Sequence, residues 1–162
     1  MPVIYEMAGT AVRGLIDRVF DDWHRELREA QVSVDCLFAS NPDGDAVKVH
    51  GYPCAAKVRV VSCKDRVKGH GDAELVIDKD WWHDHGDAER LALIDHEITH
   101  LQLTGKRDDL GRAKLSLRLH DVELGIFTEV MRRHKLAAED TKQVLMLLTG
   151  QDGQMVMEWK QK

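Results

Sequence analysis

Residues His96-Glu97-Ile98-Thr99-His100 place two imidazoles four positions apart, with a carboxylate directly after the first. In a helix, four residues turn the chain by about 400°, so both rings leave one side a turn apart, as two ligands of a single ion require. Glu97 is turned about 100° from His96, which keeps it off that ion but within reach of a water bound to it. Two nitrogen ligands and a base beside the nucleophile are the components of metal-assisted hydrolysis. With 9 His in 162 residues, composition alone yields only about 0.03 accidental matches to this pattern.

A catalytic zinc keeps three protein ligands and one open position, so a third donor is expected elsewhere. His120, in Leu119-His120-Asp121-Val122-Glu123, is the preferred candidate, and Asp121 and Glu123 are the alternatives. Both acids would otherwise complement the N-terminal dipole of a helix. A nitrogen-rich ligand set favours Zn2+. Asp95, Asp121 and Glu129 are candidates to orient the ligating imidazoles. His83 and His85, with Asp84 and Asp87, read mainly as a surface loop capping the next helix, with a second metal site or the rim of a cleft as alternatives. His24, His50, His70 and His134 are isolated in sequence and carry no assigned role. Of the adjacent Trp81 and Trp82, one is expected in the core and the other as a wall of a substrate groove.

The elements that must position these groups follow from periodicity. Val12, Leu15, Ile16, Val19, Phe20, Trp23 and Leu27 recur at helical spacing after Thr10, a candidate cap. After Val32 the pattern turns to β-branched runs, VSVDCLFA, AVKVHGYP, AAKVRVVSC and AELVIDK, which predict three or four strands of a twisted, mostly antiparallel sheet. Asn41-Pro42-Asp43-Gly44-Asp45 is a turn expected to close a hairpin. A loop over Trp81 to Asp87 precedes a helix from Ala88 to Leu103, stopped by Gly105. Two further helices are expected, from about Asp121 to Leu136, its start placing His120, and from Ala138 to Leu148. The order helix, sheet, helices indicates an α+β fold. Residues 1–150 read as one domain and 151–162 as a loosely attached tail.

Composition narrows the function classes. The chain is 43% hydrophobic and 31% charged with 3 prolines, the profile of a folded globular protein, and its net charge of −5 argues against broad coating of nucleic acid. Lys106, Arg107, Arg112, Lys114 and Arg118, and then Arg132, Arg133 and Lys135, read mainly as solvated surface, with a local basic strip that contacts a polyanion as the alternative. The amino terminus does not read as a signal peptide, and no run approaches the ~18 apolar residues of a membrane span. Cys36, Cys54 and Cys63 show no CxxC spacing, read as buried core thiols, and fit a reducing cytoplasm. No heptad pattern marks an oligomer.

The run AAKVRVVSCKDRVKGHGDAELVIDKDWWHD, then ALIDHEITHLQL and LHDVE, resembles the putative phage metallopeptidases, a family of small zincin-like proteins of bacteriophages. The likeness spans roughly Ala55 to His134. It implies zinc on His96, His100 and His120, Glu97 as catalytic base, and a cytoplasmic protein made inside an infected bacterium. A more distant likeness, to the SprT-like proteases, is architectural only. The expected activity is zinc-dependent hydrolysis of peptide or protein substrates, with the strand Ala73 to Asp78 as the one nearest the cleft. The alternative is a zincin-fold binding module, a host-factor or DNA-associated antagonist with a structural metal, motivated by the basic strip. An amidase acting on a non-peptide amide is a third reading.

Overall fold

A computed structural model describes residues 2–120 and 126–149. The fold is α+β. Strand β1 (Ile4–Met7) leads into helix α1 (Thr10–Trp23), which buries Val12, Ile16, Val19 and Phe20 at the predicted spacing. Gly9, not Thr10, is the N-cap. The helical pattern does not run unbroken to Leu27, because the backbone leaves the α region at His24 before a short α2 (Arg25–Glu29). The His24 ring is committed to Asp95, 71 residues away, so a tertiary bond overrides the local periodicity.

Strands β2 (Val34–Ser40), β5 (Ala56–Val60) and β6 (Ala73–Asp78) fall on three of the predicted β-branched runs. The main sheet has the order β1-β2-β6-β5, with β2 and β6 parallel at its centre and antiparallel strands at both edges. Leu75, Val76 and Ile77 of β6 are all buried, as a central strand covered on both faces requires. The fourth run makes only a small ribbon, β3 (Lys48–Val49) with β4 (Tyr52–Pro53). The Asn41–Asp45 turn forms, with Gly44 at φ +143° and its N–H on the Asn41 carbonyl, but it closes no hairpin. Both edges of β2 are already taken by β1 and β6, so the chain leaves the sheet there, and Val47 covers its far face against Val76 and Ala39.

Cys63 opens the short helix α3 (Cys63–Val67) and is exposed, which corrects the expectation of three buried thiols. Cys36 is buried and Cys54 half-buried, and burial pushes their thiols up to about 12 and about 11. The segment expected as a loop before the HExxH helix is a helix, α4 (Lys79–Asp84), because Asp78 caps it by accepting from the N–H groups of Asp80 and Trp81.

Helix α5 (Asp87–Thr99) packs on α1 over one face of the sheet through Leu91, Ile94 and Ile98. It ends earlier than predicted. Leu101 and Leu103 suit a helical stripe and a strand alternation equally, and they enter β7 (Leu101–Arg107), paired with β8 (Ala113–Leu117) opposite Leu117 and Leu115. Gly105, at φ +75°, lies in the irregular stretch of β7 rather than at a helix end. Buried Arg66 fastens this ribbon to the sheet, donating to Asp108 at 2.9 Å, to the Ala113 carbonyl and to the Val61 carbonyl. Arg112 of the basic strip donates to Asp72 at 2.9 Å and so belongs to the same fastening. Helix α6 (Thr128–His134), a 3-10 turn (Lys135–Ala137) and α7 (Glu139–Thr149) follow; Phe127, Val130 and Ala138 pack on Ala92 of α5 in a small second core. Asp121, Glu123 and the 151–162 tail lie outside the described residues. Among the described residues no helix is long and apolar enough to cross a membrane.

Candidate metal centre

Helix α5 holds His96 on its last full turn and His100 at its C-terminal cap, with ring centroids 5.3 Å apart. The ribbon β7–β8 returns the chain beside that end. Past β8 the Arg118 N–H donates to the His100 carbonyl at 2.6 Å, and two residues later His120 swings over both rings. Its centroid is 5.1 Å from that of His96 and 4.5 Å from that of His100. One ligand atom of each of the three lies within 4.8 Å of the others, and Nε2 of His96 and of His120 approach to 3.1 Å. His120 thus sits in an irregular segment, not at the start of the next helix as expected; α6 begins only at Thr128.

The outer nitrogens explain why the inner ones converge. His96 Nδ1 donates to Asp140, with oxygens at 2.8 and 3.0 Å, and His100 Nδ1 donates to the Arg118 carbonyl at 2.7 Å. Each outward bond fixes the tautomer whose Nε2 lone pair faces inward, the arrangement that metal-ligating histidines use. Buried Asp140 also accepts from the Phe127 N–H at 2.6 Å. The Phe127 ring, fully buried, lies 5.0, 4.8 and 5.0 Å from the His96, His100 and His120 rings and gives the three imidazoles an apolar floor.

Charge balance follows this layout. Burial disfavours a charged His96, but the hydrogen-bonded Asp140 carboxylate and the nearby Glu97 and Asp95 carboxylates together outweigh it and raise the pKa above the usual histidine value. His100 goes the other way, down to about 4, through burial and the neighbouring His96 and His120. Burial holds the Glu97 carboxyl above its ordinary range, while His96 and the Val58 backbone favour its charged form. Two pinned imidazoles, a third converging on them and a buried carboxylate alongside suit a zinc ion with one open position.

Glu97 and the triad line one cleft of about 1180 Å³, bounded by the Asn41–Asp45 turn, the β3–β4 ribbon, β5 and α4. Half-buried Trp81 forms part of its wall, stacked on His85 at 4.0 Å, while Trp82 is buried against Phe38. Strand β6 is not at the cleft edge. It lies between β2 and β5 with both sides paired, and the edge strand facing the cleft is β5, through Ala56, Lys57 and Val58.

Of the residues expected to orient ligands, Asp95 touches neither metal-side imidazole; it accepts instead from His24, Arg133 and His134 on another face of α5. Glu129 binds the Arg118 and Arg133 side chains. Asp140 is the carboxylate that sequence reasoning missed: it stands 44 residues beyond His96, and an acid in the first turn of α7 reads locally as an ordinary dipole partner. His85, Glu89 and Glu139 also bring ligand atoms within 4.8 Å of one another. The Lys142 ammonium bonds both of those carboxylates, so the cluster is an ion-pair network at the cleft rim.

The family model described as putative phage metallopeptidase matches residues 4–148. No curated protein and no solved structure matches the chain.

Proposed function

Because the chain belongs to the putative phage metallopeptidase family, we propose that it is a zinc-dependent peptidase of zincin-like fold, with His96, His100 and His120 as metal ligands and Glu97 as general base. One observation carries this reading: three histidines with pinned Nδ1 atoms or converging Nε2 atoms share a cleft with a buried carboxylate. Zinc held there would supply Lewis acidity, activating a water and polarising the scissile carbonyl. Glu97 takes the proton from the attacking water and hands it to the leaving amine, and its burial makes it a stronger base than an exposed carboxylate. Asp140 and the Arg118 carbonyl hold the imidazoles in register throughout.

An extended peptide would add to the outer edge of β5, which pairs with no strand among the described residues, with backbone hydrogen bonds giving affinity and the walls at Trp81 and Leu117 contacting alternate side chains. The proposed setting is the cytoplasm of an infected bacterium. The basic strip, which motivates a nucleic-acid-binding module, is partly spent inside the fold, since Arg112 serves Asp72 and Arg118 serves Glu129. The test is Glu97→Gln, assayed on a mixed peptide library with zinc content measured in parallel. Turnover should fall by at least about 100-fold, as loss of a general base implies, with zinc retained. Undiminished turnover would remove Glu97 as the base, and loss of zinc would make it a ligand.

A further inference from the structure

The metal centre leaves one of its parts mechanically unexplained: His120 belongs to no helix or strand, yet its ring meets two imidazoles fixed at the end of α5. We propose that the ion chain Asp95–Arg133–Glu129–Arg118 is a positioning frame for the third ligand, linking the HExxH helix to the segment that carries His120. This rests on the metal-centre reading above.

The frame begins at a fixed point. Asp95 is 0% exposed, and its carboxylate also accepts from His24 and His134, each at 2.8 Å. Arg133 Nη1 donates to both Asp95 oxygens, at 2.9 and 3.0 Å, and its Nη2 reaches Glu129 Oε2 at 3.3 Å. The other Glu129 oxygen takes a short hydrogen bond from Arg118 Nη1. Arg118 is the working end, two residues before His120. Its N–H and its carbonyl both bond His100, at 2.6 and 2.7 Å, and its guanidinium lies 5.1 Å over the centroid of Phe127, the ring beneath all three imidazoles. One residue therefore touches one ligand through its backbone and the floor of the whole site through its side chain.

Positioning, rather than stability, is the effect this geometry supports. Arg118 and Glu129 side chains are 37% and 36% exposed, so their pair contributes little to folding in high dielectric. A group one layer behind a metal ligand nevertheless changes metal affinity, commonly by about 10–100-fold, because it fixes the orientation of the ligand. Neither side chain is a ligand in the proposed centre.

The experiment compares wild type with Glu129→Gln, Arg118→Met and Arg118→Lys. It measures zinc affinity by chelator competition, the visible spectrum of the cobalt-substituted protein, and the thermal midpoint of the metal-free protein. Glu129→Gln and Arg118→Met should each weaken zinc by about 10–100-fold and alter the cobalt spectrum, with metal-free midpoints close to wild type, and Arg118→Lys should recover part of the affinity. Unchanged zinc affinity and spectrum in the first two variants would overturn the frame, as would an affinity loss matched by an equal loss of metal-free stability. Absence of zinc from folded wild type would overturn the frame together with the metal-centre reading, whereas failure of the frame alone shows only in the variants.

Discussion

Two faces of α5 carry the same ingredients and use them in opposite ways. On one face, Asp95 collects the Nε2 atoms of His24 and His134, each at 2.8 Å, so the inward nitrogens of both imidazoles are spent on a carboxylate. On the other, His96 and His100 spend their Nδ1 atoms outward on Asp140 and on the Arg118 carbonyl and leave Nε2 free to converge with His120. The first face is a brace that ties the α1–α2 junction and α6 to the HExxH helix, and the second carries the donor set proposed to hold the metal. Which nitrogen is committed, not how many histidines gather, separates structure from chemistry here.

That contrast predicts different penalties on the two faces. The largest belongs to the brace. Asp95→Ala strands three buried or half-buried donors and should cost about 3–5 kcal/mol of stability, read by urea denaturation; a cost under about 1 kcal/mol would show that the brace is dispensable. Its pH dependence has a defined sign. Burial opposes the Asp95 charge, but the hydrogen bonds from His134 and His24 and the Arg133 guanidinium outweigh it and hold the carboxyl well below the usual range. A depressed carboxylate adds stability that is present above its unfolded value of about 3.9 and is lost as pH falls. Asp95→Asn should therefore flatten the acid limb of the stability curve, and an unaltered limb would locate that dependence elsewhere. A smaller effect is expected on the metal face, where Asp140→Asn should weaken zinc binding by about 10–100-fold while moving the metal-free midpoint little. If the larger change came in the midpoint, Asp140 would belong to the brace side of the contrast.

The two faces were not equally legible in the sequence. The His96–His100 pair shows itself because a spacing of four is local to one helix, and α1 and the β2, β5 and β6 runs show themselves by period. The brace has no such signal, since His24, Asp95 and His134 are 71 and 39 residues apart and each looks isolated along the chain. Asp140 was hidden for the same reason. Strand β1 escaped because all four residues are exposed and leave no alternation to read. The helix-to-strand switch after His100 escaped because Leu101 and Leu103 satisfy both periods; only pairing with β8 decides between them.

The most direct test of the contrast is zinc content per chain, by elemental mass spectrometry, in wild type, His120→Ala and His134→Ala. One zinc is expected in wild type, with loss of it in His120→Ala and retention in folded His134→Ala, whose imidazole bonds Asp95 and packs on Trp23 without joining the triad. Zinc retained by His120→Ala, or absent from folded wild type, would contradict that expectation.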